Sequence, residues 1–452
     1  MKKFIVFGLG ISGKAAVDFL LKQGFEVLAG DDNLKSLTKL PKNPHLKIIE
    51  NINEINWQGI ESLVLAAGIN LKYPKPHPIV LEAEKNHCPI VCDVEILFLF
   101  NQTANFIGIT GTNGKSTTTA LTGHIFDATN KPHTIGGNIG LAALSLPRLN
   151  QGGTYVIEAS SYQLDLVQKT KFHISNLLNI TPDHIDHHGG MENYISAKKR
   201  IFQNQTKEDF AIIGIDNKDS RKVFEDLKND QNFKAKLIPI STKEIIEGGI
   251  SIIGDDLHNI DGEIFNLKNR LLKGEHNSQN IAFAFANSFL SGIEPKQIIP
   301  AIENFQGLKH RMELVANIDG INFINDSKAT NAESTENALK SFENIYWIVG
   351  GKSKDGGIEM LKPYFPKVKY AFLIGESMDE FVKTLDKKVE LVKCKDLEIA
   401  FKLAHQMALK DSSPEKNILL SPSCASFDQW KSFEERGEFF CDLVKKIESA
   451  HT

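Results

Sequence analysis

The chain has 452 residues, 41% hydrophobic and 24% charged, with a formal net charge of −4. That length exceeds one ordinary core and predicts roughly two to four domains. The near-neutral balance excludes a nucleic-acid coat or a polybasic anchor, and no apolar run approaches the roughly 20 residues that span a bilayer.

Lys2 and Lys3 ahead of residues 4–7 resemble the start of a signal peptide. Gly8, Gly10 and Gly13 break the apolar run at once and no small-residue cleavage site follows, so residues 3–7 read as a first strand. An amphipathic helix is predicted from there to about Gln23, with Gly24 as its stop. Residues 25–29 read as a second strand that leads into Asp31 and Asp32. Gly8-x-Gly10-x-x-Gly13 with an acid about twenty residues on is the dinucleotide fingerprint. It admits an NAD site, a cradle for some other diphosphate, or a βαβ corner without ligand, because the turn reads pyrophosphate and not nicotinamide. Further βα units are predicted at 46–49, 61–68 and 79–85, and the polar stretch 101–105 reads as a linker.

Next comes Phe106-Ile-Gly108-Ile-Thr-Gly111-Thr112-Asn113-Gly114-Lys115-Ser116-Thr117. Gly108-x4-Gly-Lys-Ser, with a strand before it and a helix from Ser116 to about Phe126, has the phosphate-loop pattern. Gly108, Gly111 and Gly114 let the backbone curl so that N–H groups face phosphate oxygens, and the helix N-terminus adds partial positive charge. Lys115 would reach the β/γ-phosphates and the Ser116 hydroxyl would sit on Mg²⁺. A bound nucleoside triphosphate is therefore expected.

Residues 134–140 read as a glycine-rich turn around Asn138, and 154–161 as a buried strand ending in Glu158. An acid there serves as a Mg²⁺ ligand or water-positioning group, or equally as a helix N-terminal acid. Residues 172–180 form another strand, leading into Thr181-Pro-Asp-His184-Ile-Asp-His187-His188. Its histidines and aspartates suggest zinc, yet no second cluster has matching spacing. A helix then carries residues 194–202, whose basic run Lys198-Lys199-Arg200 reads by default as a solvated face. A strand at 209–217, a peripheral helix with short strands at 218–270, and an Ala/Phe-rich helix at 281–288 complete the middle. After Pro300, strands at 345–349, 370–374 and 417–420 alternate with helices, so another doubly wound sheet is expected. Cys88, Cys92, Cys394, Cys424 and Cys441 lack disulfide-framework or zinc-ribbon spacing and read as reduced thiols.

Several of these segments together resemble the Mur ligase family of ATP-dependent peptidoglycan-precursor enzymes, over nearly the whole chain. They are residues 108–117, Gly-Gly-Asn-Ile-Gly at 136–140, Glu158-Ala-Ser-Ser161, Asn179-Ile-Thr-Pro-Asp-His-Ile-Asp186, Gly274-Glu-His-Asn277, His310-Arg311 and Asp326-Ser-Lys-Ala-Thr-Asn331. The phosphate loop alone would be shared with folylpolyglutamate synthases. The last motif, with Ser421-Pro-Ser-Cys-Ala-Ser426-Phe-Asp-Gln429, resembles the branch that adds D-glutamate, and the Asp-Asn-Pro-Arg motif of the diaminopimelate-adding relative is absent.

The resemblance implies an α/β chain of three domains. These are a Rossmann-like N-terminal domain (1–100) for the UDP substrate, a central P-loop ATPase-type domain with a parallel or mixed sheet (101–303), and a Rossmann-like C-terminal domain (304–452) for the amino acid. It implies ATP, two Mg²⁺ ions, UDP-MurNAc-L-Ala and D-glutamate as ligands, and a cytoplasmic monomer that binds neither nucleic acid nor membrane. It turns the fingerprint into a UDP site with contacts from Gly10, Ser12 and Asp31, and gives Asn138 to the muramoyl part. ATP would be held by Gly111, Thr112, Asn113, Gly114, Lys115, Ser116, Thr117, Asn277, Asn280, Arg311 and Asp326. Metal would be held by Ser116, Glu158, His184 and a carbamylated Lys198, with Lys115, Lys198, His184 and Lys328 catalytic. D-glutamate would meet Lys354, Ser426 and Phe433, with Lys352 as a neighbouring alternative to Lys354. Two departures stand out: Ala66-Ala67-Gly68-Ile69 replaces the common Ser-Pro-Gly-Ile, and His187 replaces a usual Arg.

Overall fold

The computed structural model describes residues 2–38, 40–183, 185–272, 274–353 and 357–451, without the side chains of residues 333, 450 and 451. Two compact units result, residues 1–305 and 306–452. Among the described residues the first unit holds a 5-stranded and a 9-stranded sheet, and the second a 6-stranded sheet.

The first sheet is built from β1 (Lys3–Phe7), β2 (Glu26–Gly30), β3 (Leu46–Ile48), β4 (Ile60–Leu65) and β5 (Ile90–Val91). Its order is β3-β2-β1-β4-β5, and every pairing is parallel. Buried on both faces, β1 is a continuous apolar run, as parallel sheets demand. Chain order reverses between β1 and β4, so a crevice opens beyond their C-terminal ends. The fingerprint turn after β1 and the segment 66–69 after β4 meet there. A Cβ on Gly8 would lie 2.7 Å from Ala66 Cβ. The helix Ile11–Lys22 presses on β1 through Gly13, where a Cβ would lie 1.8 Å from the Gly8 carbonyl oxygen.

The second sheet contains β6 (Asn105–Thr110), β7 (His133–Gly137), β8 (Thr154–Glu158), β9 (Ile174–Leu177), β10 (Phe210–Gly214), β11 (Lys236–Ser241), β12 (Ile250–Ile253), β13 (Asp256–His258) and β14 (Ile264–Asn266). Its order is β14-β13-β12-β11-β10-β9-β6-β8-β7, parallel except for the antiparallel β12-β13-β14 edge. The phosphate loop leaves β6 between β8 and β9, at the parallel end where both neighbours also finish. Of the stretch 134–140, expected to turn, residues 134–137 lie instead in the edge strand β7, paired along β8. The expected linker at 101–105 is packed structure: the Asn101 amide donates to Leu97 O and accepts from the Tyr155 hydroxyl. The apolar core runs without a break from Phe4 and Val6 to Phe106 and Tyr155, so the two sheets share one interior.

The second unit contains β15 (Glu313–Ile318), β16 (Ile321–Asn325), β17 (Ile345–Gly350), β18 (Val368–Ile374), β19 (Glu390–Lys393) and β20 (Lys416–Leu420). The order is β15-β16-β20-β17-β18-β19, with β15 antiparallel at one edge and the other pairs parallel. Trp347, fully buried in the middle of β17, sends its indole N–H to Ser421 O at 2.8 Å. No helix among the described residues is long and apolar enough to cross a membrane.

The glycines of the fingerprint separate by substitution. Gly13→Ala must displace backbone and is expected to lower unfolding free energy by about 1–3 kcal/mol in urea denaturation. Gly10 has φ −66 and open space around its Cβ position, so Gly10→Ala should stay within about 0.5 kcal/mol. Equal losses would contradict this packing account.

Candidate active site

The loop owes its shape to two of the three expected glycines. Gly108 lies inside β6, where a Cβ would strike the Phe172 ring at 2.7 Å, so it serves packing and not the turn. Gly111 and Gly114 take φ +159 and +85, and a Cβ on Gly114 would lie 2.2 Å from Asn280 Oδ1. The helix Lys115–Ala128 follows, and its first turn presents backbone N–H groups toward the loop. These donors and the helix dipole make the anion cradle.

The segment after β9 clamps the loop. Asn113 N–H donates to Asn179 Oδ1 at 2.9 Å, and Asn179 Nδ2 donates to Asn113 O at 3.2 Å. Thr112 Oγ1 donates to Thr181 O at 3.0 Å and lies 3.1 Å from the Tyr194 hydroxyl. Lys115 curls over its own turn, with Nζ 2.9 Å from Gly111 O and 2.8 Å from Thr112 O. Lys198 Nζ reaches the same Gly111 oxygen at 2.8 Å and stands 4.6 Å from the centre of the Tyr194 ring. Lys198 is therefore no solvated residue; it is 2% exposed. Burial, then the charge of Lys115, hold its amine well below the usual lysine range, against the pull of Asp183.

A cavity of about 390 Å³ is lined by Ala67 and Gly68 from the first sheet and by Lys115, Asn138, Ser161, Asp183 and Lys198 from the second. Glu158 stands at the end of β8, 2% exposed. Its Oε1 accepts from Asn138 Nδ2 at 2.9 Å, while its buried Oε2 has no hydrogen-bond partner among the described residues. An orphaned carboxylate oxygen beside a phosphate cradle suits a hard cation. His184 lies outside the described residues.

Other expected residues are placed as follows. Asp31 accepts from Leu9 N–H and, at 2.7 Å, from Asn33 N–H, so it braces the fingerprint turn. Gly10 and Ser12 stand at the start of the helix that this turn opens. Asn280 Oδ1 accepts from Thr118 Oγ1 at 3.3 Å and Asn277 is 3.4 Å from Asn280, so this pair packs directly behind the loop.

In the second unit, Asp326 accepts from Ser421 Oγ at 2.7 Å and from Met312 N–H at 3.2 Å. Lys328 Nζ stands 5.4 Å from the centre of the Phe433 ring, and Lys328 N–H donates to His310 O at 3.0 Å. Ser426 is buried in the turn after β20, and Arg311 follows His310 at the turn before β15. Arg436, 0% exposed, joins these pieces by donating to Ser327 O at 2.8 Å and to Cys424 O at 3.1 Å. Lys354 lies outside the described residues; the backbone of its alternative, Lys352, pairs with Ala425. His310, Glu313 and Cys441 group their ligand atoms within 4.8 Å. The Asn325 amide nitrogen sits among them, 2.9, 3.4 and 3.3 Å away, so a hydrogen-bond donor holds the place a cation would take.

The pattern of the Mur ligase middle domain matches residues 109–287, and that of the Mur ligase glutamate ligase domain matches 310–424. The chain belongs to the Mur ligase family. It is 42% identical over 448 residues to the UDP-N-acetylmuramoylalanine–D-glutamate ligase of Rickettsia prowazekii (strain Madrid E), covering 98% of each chain. It is 40% identical over 457 residues to the protein of that name from Rhodospirillum rubrum, covering 99% of this chain and 94% of that one. The solved UDP-N-acetylmuramate–alanine ligase of Thermotoga maritima shares the family fold, with TM-score 0.55 and 16% identity over 100% of both chains. Within this Mur ligase, motif reading quoted Asn179 without giving it a role, and passed over Tyr194 and Arg436. Tyr194 had a signal, since it precedes Lys198 by one helical turn and so shares its face.

Asp326 gives the second unit a pH signature. Burial pushes its carboxyl up to about 7, although Ser421, the Met312 N–H, Arg311 and Arg436 favour the charged form. The folded state thus holds the proton more tightly than the unfolded chain. This contribution to stability is present below about pH 4 and is lost as pH rises through about 7. Asp326→Asn should therefore gain stability relative to wild type between pH 5 and pH 8, on the order of a few kcal/mol in urea denaturation. A difference independent of pH would refute the buried-acid account.

Proposed function

We propose that this chain joins D-glutamate to UDP-N-acetylmuramoyl-L-alanine at the cost of ATP, through an acyl phosphate, in the making of peptidoglycan precursors. The observation that carries the reading is the single cavity that Ala67 and Gly68 share with Lys115, Asn138 and Lys198. A UDP-sugar anchored on the first sheet, at Gly10, Ser12 and Asp31, would extend its alanyl carboxylate through that cavity toward the phosphate loop.

The carboxylate attacks the γ-phosphorus, ADP leaves, and the amine of D-glutamate then displaces phosphate from the acyl phosphate. A carboxylate approaching a triphosphate meets like charge, so the protein must supply positive potential. Lys115 and the N–H groups at the start of the loop helix supply it in the first unit; Lys328 and Arg311 are assigned the same task in the second. Glu158, with its orphaned Oε2, Ser116 and a carbamylated Lys198, together with His184 as the family motif assigns it, would hold two Mg²⁺ ions, which when bound would neutralise phosphate charge. Buried Lys198 suits carbamylation: a neutral amine adds to CO₂, loses a proton, and turns a cation into an oxygen-bearing anion. Asn277 and Asn280 are assigned to the adenine side, and Ser426, Phe433 and Lys354 to D-glutamate. Domain limits of 1–100, 101–303 and 304–452 are assigned on the reading that each sheet centres one domain, the first two packed as one unit. A cytoplasmic monomer without nucleic-acid or membrane partners suits the net charge of −4.

The direct test is ATP-dependent coupling of UDP-MurNAc-L-Ala with D-Glu, L-Glu or L-Lys as acceptor. ADP release is expected with D-Glu alone, and none with any acceptor would sink the reading. Lys198→Ala should lose activity by at least about a hundredfold while remaining folded, with partial rescue by short-chain carboxylates that fill the anionic position. Lys199→Ala should be mild. If Lys198→Ala remains active, the carbamate assignment fails.

A further inference from the structure

The main cavity is also lined by Ser161, which begins the short helix Ser161–Leu164 and is 2% exposed. Its Oγ lies 2.9 Å from Nε2 of His188, the last residue of the helix Ile185–His188. His188 is itself 3% exposed, and its Nδ1 lies 3.3 Å from Asp165 Oδ2. Asp165 and His188 border a second, smaller cavity of about 110 Å³. A serine hydroxyl, an imidazole and a carboxylate thus form a continuous chain from the main cavity into the second.

The ring is held in this orientation from several sides. Tyr162, His187 and Tyr194 stand 5.5, 5.4 and 5.3 Å from it, centre to centre. Asn193 Nδ2 donates to the His188 carbonyl at 2.8 Å. Lys72 and Tyr73 face it across the second cavity, and Asp183 and Lys198 share the main cavity with Ser161. The proton arrangement that satisfies every partner has Nδ1–H donating to Asp165 and Nε2 accepting from the Ser161 O–H.

We propose that Ser161, His188 and Asp165 form a proton relay that turns the ammonium group of the incoming D-glutamate into the amine that attacks the acyl phosphate. This rests on the ligase reading above. Ser161 Oγ takes one ammonium proton as its own proton passes to His188 Nε2, and Asp165 stabilises the resulting imidazolium. The amine lone pair then forms the C–N bond, and the C–O bond to phosphate breaks with its electron pair. A second nitrogen proton leaves with the phosphate, the third stays on the amide, and His188 returns its proton to solvent through the second cavity. Ser161 is the catalytic member; His188 and Asp165 are positioning residues that act through it.

Hydroxylamine separates this role from a structural one, because it is already neutral at pH 7 and captures the acyl phosphate without a base. For Ser161→Ala and His188→Asn, D-glutamate coupling should fall about a hundredfold. ATP-dependent hydroxamate formation on UDP-MurNAc-L-Ala should stay within about threefold of wild type, and the double variant should be no worse than either single one. Coupling by the variants should recover roughly tenfold per pH unit above neutrality, as solvent removes the ammonium proton, and wild type should climb far less. Variants that keep D-glutamate coupling, or that lose hydroxamate formation to the same extent, would overturn the relay. Wild-type protein that forms no hydroxamate would overturn the ligase reading, and the relay with it.

Discussion

Everything in the first unit's site depends on one acceptor, the carbonyl oxygen of Gly111. Two ammonium groups, from Lys115 and Lys198, converge on it at 2.9 and 2.8 Å. Burial first, and then the like charge of Lys115, hold the Lys198 amine below the usual lysine range. The carbonyl can play this part only because Gly111 adopts φ +159 in the turn, with Leu178 where a Cβ would go. Asn179 and Tyr194 then keep the turn from relaxing.

The second constraint is the seam between the first two sheets. Glu95, 1% exposed, accepts from the N–H groups of Gln168, Lys169 and Thr170 and from the Thr170 hydroxyl. Four donors meet the desolvation cost of this buried carboxylate, which would otherwise be prohibitive. Beside it, Gln163 Nε2 donates to Asp93 Oδ1 at 2.9 Å, and Cys92 Sγ lies 3.3 Å from Gln163 O. Burial raises the Asp93 carboxyl above its ordinary range despite that hydrogen bond. Gln163 also closes the capping box on Ser160, so the seam ends one residue from Ser161. The fold thereby fixes the crevice after β1 and β4 against the phosphate loop.

Local signals made much of this legible in the sequence. The strand Lys3–Phe7, the loop ahead of the helix Lys115–Ala128 and the acid closing β8 were each specified by residues a few positions apart. What escaped depended on contacts far along the chain. Gly108 looked like a turn glycine because its constraint is the ring of Phe172. Lys198 looked solvated because its acceptor lies 87 positions away. Residues 101–105 looked like a linker because Tyr155, which buries Asn101, belongs to another strand. Ser161 and His188 stood in quoted segments without roles of their own, and only their meeting gives them chemistry.

The choice of partners for the buried cations follows one electrostatic logic. On the surface, lysines such as Lys2 and Lys402 pair with carboxylates, Glu61 and Glu398, which cancel their charge. In the sites, Lys115 takes two backbone carbonyls, Arg436 takes two, and Lys328 takes the face of Phe433. A carbonyl dipole or an aromatic face orients a cation without neutralising it. Its full charge therefore remains available to an anion that arrives later, and burial weakens screening once that anion is bound. A carboxylate at Gly111 would make the resting protein more comfortable and the phosphate cradle weaker. Accepting that discomfort is how a site built largely from main-chain atoms keeps positive potential for a triphosphate.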